Sequence, residues 1–528
     1  MKRILVLVFV AAAHASLLAA TTPSSRPNIV FIFSDDHAQH AISAYGSKVN
    51  QTPHIDRLGA AGIRFNHAMV TNSICTPSRA TLLTGKYSHA NGTPVFNVFD
   101  GSQPTVAKML QAAGYHTGMI GKWHLGGTPT GFDRWIILPG QGIYNEPDFI
   151  TPHGRLSVAG HTTQITTQLG LEFLDTRPKD KPFFLMLHHK APHRAWEPDA
   201  KNKALFKDKV IPEPATLFDD YATRPAALPE NSQTVARDLT RRDLKLEPPA
   251  DLPPGPQRQR WLNEKPMSLE VTLADGTKKT LTGKELVQWK YQRYMQDYLA
   301  CVQGVDDSVG EVLDYLDRTG LAQNTIVIYS TDNGWYLGDL GLYDKRFMYE
   351  PGLHIPLLAR GPGIKPGQVT DLFALNADFA PTFLDLAGLP VPADMHGKSL
   401  VPLLRGEKPS DWRDSIYYRY YHDPGHHNTR AHYGVRTATH KLIHYWKKDA
   451  WELYDLIKDP TEQRNLIDDP AQAATLVTLK AEIIRLQAQL GDTGQFADTI
   501  PADGVDAPLN VPRLGVKSVS EAIAASTP

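Results

Sequence analysis

The sequence predicts an α/β protein with a large, mainly parallel sheet sandwiched by helices, and a smaller C-terminal α+β subdomain. Short apolar runs lie at residues 28–33, 117–120, 182–187 and 325–330. Continuous apolar runs of this length are typical of strands buried on both faces. Segments with helical spacing separate these runs, and this alternation favours parallel strands that are connected by helices.

The helices are predicted from their ends as well as from their apolar spacing. Thr52 and Pro53 begin one helix, a second covers residues 162–175, and a third covers residues 291–318 and ends before Gly320. Proline is favoured in the first turn of a helix and glycine just after its last turn. These boundaries place helices between the predicted strands, as a parallel sheet requires.

Changes in composition divide the chain into a large N-terminal domain at residues 26–404 and a smaller subdomain and tail at residues 405–528. Residues 211–266 are rich in proline and charge, and we expect them to form an excursion over the surface, with a separate domain as the alternative. A helix is predicted at residues 471–490, and the last three dozen residues are expected to form a loosely held tail.

Residues 1–20 have the features of an export signal. Lys2 and Arg3 precede an apolar run at residues 4–13, and residues 18–20 form a small-residue cleavage site. The apolar run is too short to span a bilayer, although an uncleaved anchor is the alternative. We therefore expect the mature chain to be periplasmic or extracellular, without a membrane span.

Charge and cysteine content exclude several classes of protein. Lys and Arg total 55 against 56 Asp and Glu, which leaves a formal charge of -1. No overall field would therefore attract nucleic acid or an anionic membrane. Two cysteines are too few for a disulfide framework in an exported chain. Cys301 lies on an apolar helical face and is predicted to pack in the core.

Polar side chains follow each of the four predicted strands. In chain order they are Asp35 and Asp36, then Lys122 and His124, then His188, His189 and His193, and finally Asp332 and Asn333. In open α/β sheets, ligands bind outside the carboxyl ends of the strands, so these groups are expected to meet at one edge. For His188 and His189 we favour a structural role at the strand end.

The oxygen donors of this set predict a site for a hard cation. Asp35, Asp36, Asp332 and Asn333 offer carboxylate and amide oxygens, the ligands that Ca²⁺ and Mg²⁺ prefer. Ca²⁺ is the better match for an exported protein. The alternative is that the acidic pairs are turn or cap residues.

Cys75 opens a predicted helix in the run CTPSR, with Pro77 in the first turn. The positive end of the helix dipole and the guanidinium of Arg79 both favour a thiolate at this position. Cys75 is therefore a candidate nucleophile, with an inert, half-buried cysteine as the alternative.

The run CTPSR at residues 75–79, followed by LTGK at residues 83–86, resembles the signature of type I, formylglycine-dependent sulfatases. The remaining active-site segments of that family are matched in order by Asp35-Asp36, GKWHLG at 121–126, APH at 191–193, DNG at 332–334 and Lys345. The resemblance covers residues 26 to about 466. It implies the alkaline-phosphatase-like α/β fold, with residues 26–404 as the catalytic domain.

The resemblance also implies a cofactor and a modified residue. A sulfatase-maturing enzyme would oxidise Cys75 to formylglycine, and the hydrate of this aldehyde would give one oxygen to a Ca²⁺ ion and another to sulfur. One Ca²⁺ per active site would be bound by residue 75 together with Asp35, Asp36, Asp332 and Asn333. The cation would lower the pKa of the bound hydroxyl and offset the charge of the sulfate.

Further roles implied by the resemblance concern the sulfate and the leaving group. Arg79, Lys122 and Lys345 would hold the hydrate and the sulfate oxygens. His193, or alternatively His124, would protonate the departing alcohol oxygen. Sulfate would then be expelled as the remaining hydroxyl of the modified residue collapses to the aldehyde, a step for which a serine or a thiol has no second hydroxyl.

Other segments resemble bacterial N-acetylglucosamine-6-sulfatases, which act on glycosaminoglycan or mucin glycans. These segments lie at residues 188–194, 343–350 and 432–437. We therefore expect exolytic removal of a 6-sulfate from a terminal sugar of a sulfated glycan. His422 and His432 are predicted to contact the sugar, because side chains with aromatic faces and polar tips suit sugar rings. Ordinary packing of strands in residues 417–444 is the alternative.

Three other functions stay open at this point. The enzyme could cleave another position of a sulfated carbohydrate. A phosphatase or phosphodiesterase of the same superfamily is a second possibility, although Cys75 with Pro77 and Arg79 argues against it. A non-catalytic glycan-binding protein is the third, and it predicts an unmodified thiol at Cys75.

Overall fold

A computed structural model describes residues 26–272 and 275–528 of the chain. The predicted export signal at residues 1–20 lies outside the described residues. Within the described ranges, no helix combines the length and the apolar character needed to cross a bilayer.

The strands of the described residues are, in chain order, β1 (Asn28–Ser34), β2 (Ile63–Phe65), β3 (Ala68–Met69), β4 (His116–Lys122), β5 (Arg134–Leu138), β6 (Asp148–Thr151), β7 (Gly154–Ser157), β8 (Phe183–His188), β9 (Ser268–Thr272), β10 (Lys278–Thr282), β11 (Thr325–Thr331), β12 (Tyr336–Leu337), β13 (Tyr343–Asp344), β14 (His354–Ile355), β15 (Leu357–Arg360), β16 (Gln368–Thr370), β17 (Ala374–Leu375), β18 (Ser415–Tyr420), β19 (His432–Thr437), β20 (His440–Tyr445), β21 (Ala450–Asp455) and β22 (Arg513–Val516). The α-helices of the same residues are α1 (Pro53–Ala60), α2 (Cys75–Thr84), α3 (Ser88–Asn91), α4 (Val106–Ala112), α5 (Thr162–Thr176), α6 (Ala200–Phe206), α7 (Pro256–Asn263), α8 (Gly283–Arg318), α9 (Glu350–Leu353), α10 (Phe379–Leu386), α11 (Val401–Leu404), α12 (Ala473–Leu490) and α13 (Val519–Ala524).

One large sheet organises the molecule, with the strand order β16-β2-β15-β11-β1-β8-β4-β5-β6-β7-β22. Its centre, from β11 to β5, is parallel, and antiparallel pairs flank this centre on both sides. Every residue of β1, β4, β8 and β11 is buried. The prediction of a mainly parallel sheet with doubly buried central strands is therefore confirmed.

Helices cover both faces of this sheet. Along β1, Ile29 and Phe31 pack in one hydrophobic cluster, which also includes residues of the C-terminal sheet, while Val30 and Ile32 pack in a second cluster with α5 and α8. This alternation follows from the period of two in a strand. Cys301 lies in the second cluster as predicted.

Helix α8 is longer than the sequence predicted, since it begins at Gly283 instead of residue 291. In the extra turns Leu286 and Lys290 are buried, and the other residues are exposed or half-buried. Their apolar pattern is therefore too sparse to predict a helix. The other predicted helices are present, and α12 begins at Ala473 and ends at Leu490.

The C-terminal residues form an antiparallel sheet of β18, β19, β20 and β21, against which α12 packs. The tail beyond α12 differs from the expected loose segment. Strand β22 pairs in parallel with β7, and α13 packs against α5. The tail is anchored by the buried side chains of Val505 and Ile523. The sequence did not predict this anchoring, because two apolar residues so far apart give no periodic pattern.

The Pro-rich stretch at residues 211–266 has helix α7 as its regular element. It is less superficial than expected, since Leu228, Val235 and Leu239 are buried. Thr234 also forms an isolated β-bridge with Leu342. The stretch therefore packs on the main body of the protein instead of forming a separate sheet or bundle.

Candidate active site

The carboxyl ends of the central strands bring the predicted polar residues together. In the register of the sheet, Ser34 at the end of β1 is paired with Thr331 of β11, so Asp35 and Asp332 follow neighbouring strands at the same level. The backbone N–H of Asp36 donates to Asp332 Oδ1 at 3.2 Å. The four strand ends thus form one edge, as the sequence predicted.

Cys75 lies at the first residue of α2 and is buried among charged groups. Its Sγ lies 3.4 Å from Asp35 Oδ1, 3.1 Å from Lys345 Nζ and 3.8 Å from Lys122 Nζ. Burial, assisted by the charge of Asp35, raises the pKa of the thiol despite the two lysines. The thiolate expected from the helix start and Arg79 is therefore disfavoured, because desolvation outweighs both.

Arg79 lies behind Cys75 and joins three elements. Its Nε and Nη2 donate to Asp332 Oδ2 at 3.1 and 2.8 Å, and its Nη1 donates to the carbonyl oxygen of Lys122 at 2.9 Å. Nη1 also lies 3.2 Å from His188 Nδ1. The guanidinium thus holds a predicted cation ligand and the end of β4 in place.

Two buried lysines pair with the two neighbouring carboxylates. Lys122 Nζ pairs with Asp35 Oδ2 and donates to Gln141 Oε1 at 2.7 Å, while Lys345 Nζ pairs with Asp36 Oδ1. Burial would raise the pKa of Asp35, but Lys122 and other cations hold it well below its usual value. Burial raises the pKa of Asp36 to about 7 against the effect of Lys345.

The donor atoms of this cluster fit a hard divalent cation. Ligand atoms of Asp35, Asp36, Cys75 and Asp332 all lie within 4.8 Å of one another. Asp36 Oδ2 and Asn333 Oδ1 are buried and have no hydrogen-bond partner among the described residues. Because buried acceptors are normally satisfied, these two oxygens are available to a cation such as Ca²⁺.

The two candidate acid histidines occupy different places. His193 Nε2 lies 3.8 Å from Asp36 Oδ2, and the ring lines a cavity above Cys75. His124 is buried, and its Nε2 lies 3.2 Å from Asp506 Oδ1. Burial lowers the pKa of both rings, to about 4 for His124. His193 is therefore the histidine that faces the cavity.

A cavity of about 420 Å³ lies over this cluster, with Asp36, Cys75 and Lys345 at its inner end. Its outer wall contains charged residues that the sequence analysis did not single out as site residues, namely Arg194, Asp344, Arg346, His426, Asp503 and Asp506. Asp344 and Arg346 lie in the run 343–350, so a local signal existed for them. Asp503 and Asp506 lie in the tail, where no pattern marked them.

Neither predicted sugar contact lines this cavity. His432 is fully buried, its Nδ1 lies 2.8 Å from the carbonyl oxygen of Arg430, and its ring stacks on Phe347. The prediction that His432 contacts the substrate is wrong, because its side chain packs in the core beside the C-terminal sheet. His422 lies behind the wall, with Nε2 3.5 Å from Asp503 Oδ1.

The two histidines at the end of β8 are buried, in agreement with the structural role that we favoured. His189 Nε2 lies 2.9 Å from Ser308 Oγ of α8. His188 Nδ1 lies 3.2 Å from the carbonyl oxygen of Lys122. Both rings fasten the end of β8 to neighbouring elements.

Comparison with known proteins identifies the family of this chain. A family model described as "Sulfatase" matches residues 27–389, and one described as "N-sulphoglucosamine sulphohydrolase, C-terminal" matches residues 338–489. The first match covers the strand ends, Cys75 and both buried lysines.

Similar proteins carry related descriptions. An N-acetylglucosamine-6-O-sulfatase of Bacteroides thetaiotaomicron is 44% identical over 473 residues, which cover 85% of each chain. The N-acetylglucosamine-6-sulfatase of Homo sapiens is 29% identical over 75% of this chain and 67% of its own length. A solved structure of a protein in complex with its substrate D-glucosamine-2-N,6-O-disulfate superimposes with a TM-score of 0.83 at 40% identity, over 90% of this chain and 100% of that one. With this match in sequence and fold, the chain belongs to the sulfatase family and has its alkaline-phosphatase-like α/β fold.

Proposed function

We propose that this sulfatase removes the 6-O-sulfate of a terminal N-acetylglucosamine from a sulfated glycan, with residues 26–404 as the catalytic domain. The observation that carries the proposal is the cavity over Cys75. Its inner end holds Lys345 and the group of residues that could bind a cation, namely Asp35, Asp36, Cys75 and Asp332, which we call the cation cluster. A volume of about 420 Å³ suits a small ligand such as one sulfated sugar. The 44% identity to an N-acetylglucosamine-6-O-sulfatase supports the choice of sugar and position.

The proposed nucleophile is residue 75 after a sulfatase-maturing enzyme has oxidised its thiol to formylglycine. The buried thiol of Cys75 has a raised pKa and is a poor nucleophile as it stands. An aldehyde hydrate at the same place would offer one oxygen to sulfur and keep a second hydroxyl for the release of sulfate. Lys345 and Lys122, which already lie near Sγ, would then contact these oxygens.

Asp35, Asp36, Asp332 and Asn333 would hold a Ca²⁺ ion beside residue 75. When bound, this ion supplies positive charge that lowers the pKa of a neighbouring hydroxyl and offsets the charge of the sulfate. Arg79 contributes by holding Asp332. The family resemblance implied that Arg79 contacts the sulfate. We propose instead that Arg79 contacts Asp332, a cation ligand.

His193 is the proposed acid for the leaving group. Its ring lies on the cavity wall beside Asp36, within the space that a sugar oxygen would occupy. The departing alkoxide needs a proton because it is a poor leaving group at neutral pH. His124 is buried with Nδ1 3.4 Å from Thr76 Oγ1, next to Cys75 in the chain, and would act on residue 75 instead of on the sugar.

The central experiment measures sulfate release from protein produced in its natural host. We expect release from 6-O-sulfated N-acetylglucosamine and none from the 3-O-sulfated sugar or from a phosphate monoester. Protein in which Cys75 is replaced, Cys75→Ala, is the matched control and should release no sulfate. Release from a different sulfated position alone would refute the proposed substrate, and binding without any turnover would favour a glycan-binding protein.

Mass spectrometry tests the proposed modification independently of activity. Trypsin should release the peptide of residues 65–79, which contains Cys75. Conversion to formylglycine replaces sulfur by oxygen with loss of two hydrogens, so the peptide should be lighter than the unmodified one. Active protein with an ordinary thiol at residue 75 would contradict the proposed nucleophile.

We also propose that the enzyme is exported to the periplasm or the outside of the cell, where sulfated glycans are degraded. The support is the sequence of residues 1–20, with its basic start, apolar run and small-residue end. Sequencing the N-terminus of protein from cell fractions tests this proposal. A mature chain that retains Lys2 and Arg3 in the cytoplasm would contradict it.

A further inference from the structure

The C-terminal tail crosses the candidate active site at residues 503–507. The backbone N–H groups of Gly504 and Val505 donate to the carbonyl oxygen of Phe96 at 2.9 and 3.0 Å, and Val505 is buried. The segment 503–507 is part of the wall of the cavity over Cys75. Part of it also lines a second cavity, of about 410 Å³. The tail therefore separates two cavities and is fastened at that point.

Asp506 of this segment reaches the buried ring of His124. Its Oδ1 lies 3.2 Å from His124 Nε2, although the two residues are 382 positions apart in the sequence. Gly140 lies on the other side of the Asp506 carboxylate. A Cβ atom at Gly140 would lie 2.7 Å from Asp506 Oδ1, so the absence of a side chain there leaves room for the carboxylate. The ring of Phe96 packs 5.7 Å from that of His124. The Asp506 carboxylate therefore fits between His124 and the backbone of Gly140.

The opposite nitrogen of His124 points toward the start of α2. His124 Nδ1 lies 3.4 Å from Thr76 Oγ1, and the Thr76 hydroxyl donates to the carbonyl oxygen of His124 at 2.9 Å. Thr76 directly follows Cys75. Because an ionised carboxylate only accepts hydrogen bonds, contact with Asp506 requires the proton of a neutral His124 ring to be on Nε2. Nδ1 is then left as an acceptor beside Thr76, the residue that follows Cys75.

We propose that Asp506 is a positioning residue, which holds His124 in the Nε2–H tautomer and fixes the orientation of its ring. The tail thereby completes the active site from the far end of the chain. Partners that orient a metal-binding histidine commonly contribute about 10- to 100-fold to activity, and we take this range as the expected size here. The assay part of this inference rests on the proposed function, whereas the tautomer can be measured without substrate.

The competing role for Asp506 is direct contact with the sugar. Its side chain is 58% exposed and lines the same cavity as His193 and Lys345. A sugar contact and a positioning role differ in their kinetic consequences. Loss of a contact made equally in the ground state and the transition state raises KM, whereas loss of orientation at residue 75 lowers kcat.

The test compares Asp506→Asn with Asp498→Asn as the matched control. Asp498 is an exposed tail residue that pairs with Lys447. We expect Asp506→Asn to lower kcat by about 10- to 100-fold with KM changed less than about 2-fold. The control should keep both values. A raised KM with unchanged kcat would overturn the positioning role and assign Asp506 to the sugar.

A spectroscopic measurement tests the tautomer on the resting full-length protein. With ¹⁵N-labelled histidine, the wild type should show His124 as the Nε2–H form, identified by the signal that His124→Gln removes. Asp506→Asn should shift this ring toward a mixture of tautomers, because an amide can donate as well as accept. An unchanged tautomer would overturn the proposal even if no sugar sulfate proved to be a substrate.

A second variant reaches the same carboxylate from the other side. In Gly140→Ala the added methyl group would lie 2.7 Å from the present position of Asp506 Oδ1, so the carboxylate would have to move. It should reproduce the fall in kcat and the change of tautomer while leaving Asp506 in the chain. A folded Gly140→Ala protein with the wild-type tautomer and full kcat would contradict the proposal, also in the case that Asp506→Asn fails to fold.

Discussion

Arg79 binds one oxygen of Asp332 twice, from Nε at 3.1 Å and from Nη2 at 2.8 Å. This pair is buried and connects the second turn of α2 with the residue that follows β11. By this geometry Arg79 supports Asp332, one of the proposed cation ligands. The helix that begins at Cys75 and the strand that ends before Asp332 are thus held at a constant distance.

Replacing Arg79 by alanine should destabilise the protein by about 3–5 kcal/mol, because it leaves the buried carboxylate of Asp332 without its partner. The free energy of unfolding, measured with urea, checks this value. Arg57→Ala is the matched control, since Arg57 pairs with Asp314 and Asp317 at the surface. It should cost less than about 1 kcal/mol. Equal effects of the two changes would contradict the role of Arg79.

Replacing Lys345 by alanine should reduce kcat by about 10²- to 10³-fold, the usual effect of removing one preorganised group that stabilises transition-state charge. Lys345 Nζ lies 3.1 Å from Cys75 Sγ, where the reacting oxygens are proposed to lie. The measurement is sulfate release, with thermal unfolding as a check of folding. Lys365→Ala, an exposed lysine, is the control. An unaltered rate in Lys345→Ala would remove Lys345 from the site.

Calcium should stabilise the protein, because the proposed ion would bind a cluster that exists only in the folded chain. At a free concentration of 100 times Kd, the gain is about 2.7 kcal/mol, and a chelator should reverse it. Asn333→Ala removes the unpaired Oδ1 acceptor and should abolish most of this gain. Asp411→Asn, at the exposed surface, should retain it. Equal melting temperatures with calcium and with chelator would argue against the cation site.

Glu452 should make stability depend on pH. It is buried and accepts hydrogen bonds from Tyr349 and Tyr454. Burial raises the pKa of Glu452 from its ordinary 4.5 to about 7, although Arg224 opposes the shift. A raised pKa means that the folded state binds the proton more tightly. The resulting stability is complete below pH 4.5 and is lost as the pH rises through 7.

The variant Glu452→Gln isolates this effect, because glutamine keeps an acceptor for the tyrosines and does not titrate. The difference in unfolding free energy, wild type minus variant, should fall by about 3 kcal/mol between acid and neutral pH. Urea unfolding at a series of pH values measures this difference. A difference that stays constant with pH would show that the carboxyl group titrates normally in the folded protein.

Local patterns in the sequence predicted much of the fold and the inner part of the site. The runs at residues 28–33 and 325–330 are short and mostly apolar, which is typical of strands buried on both faces. Asp35 and Asp332 directly follow these runs, so their proximity follows from a parallel sheet. The run CTPSR at 75–79 identified the family without any structure.

Other features depend on contacts between distant parts of the chain. The start of α8 at Gly283 is exposed, so its apolar spacing is weak. His432 stands in an aromatic run that suits either a sugar wall or a packed sheet, and only the packing against Phe347 decides between them. The raised pKa of the Cys75 thiol follows from its burial, which the neighbouring residues in sequence do not report.

The sequence by itself determined the sheet, the sulfatase family and the residues around position 75, because periodicity and short motifs record local burial and local chemistry. The tertiary structure decided the outer wall of the cavity and the partner of His124. Asp503 and Asp506 belong to an irregular tail without periodic pattern. Their place depends on the docking of the whole tail against β7, α5 and Phe96, and no local pattern encodes a contact across 382 residues.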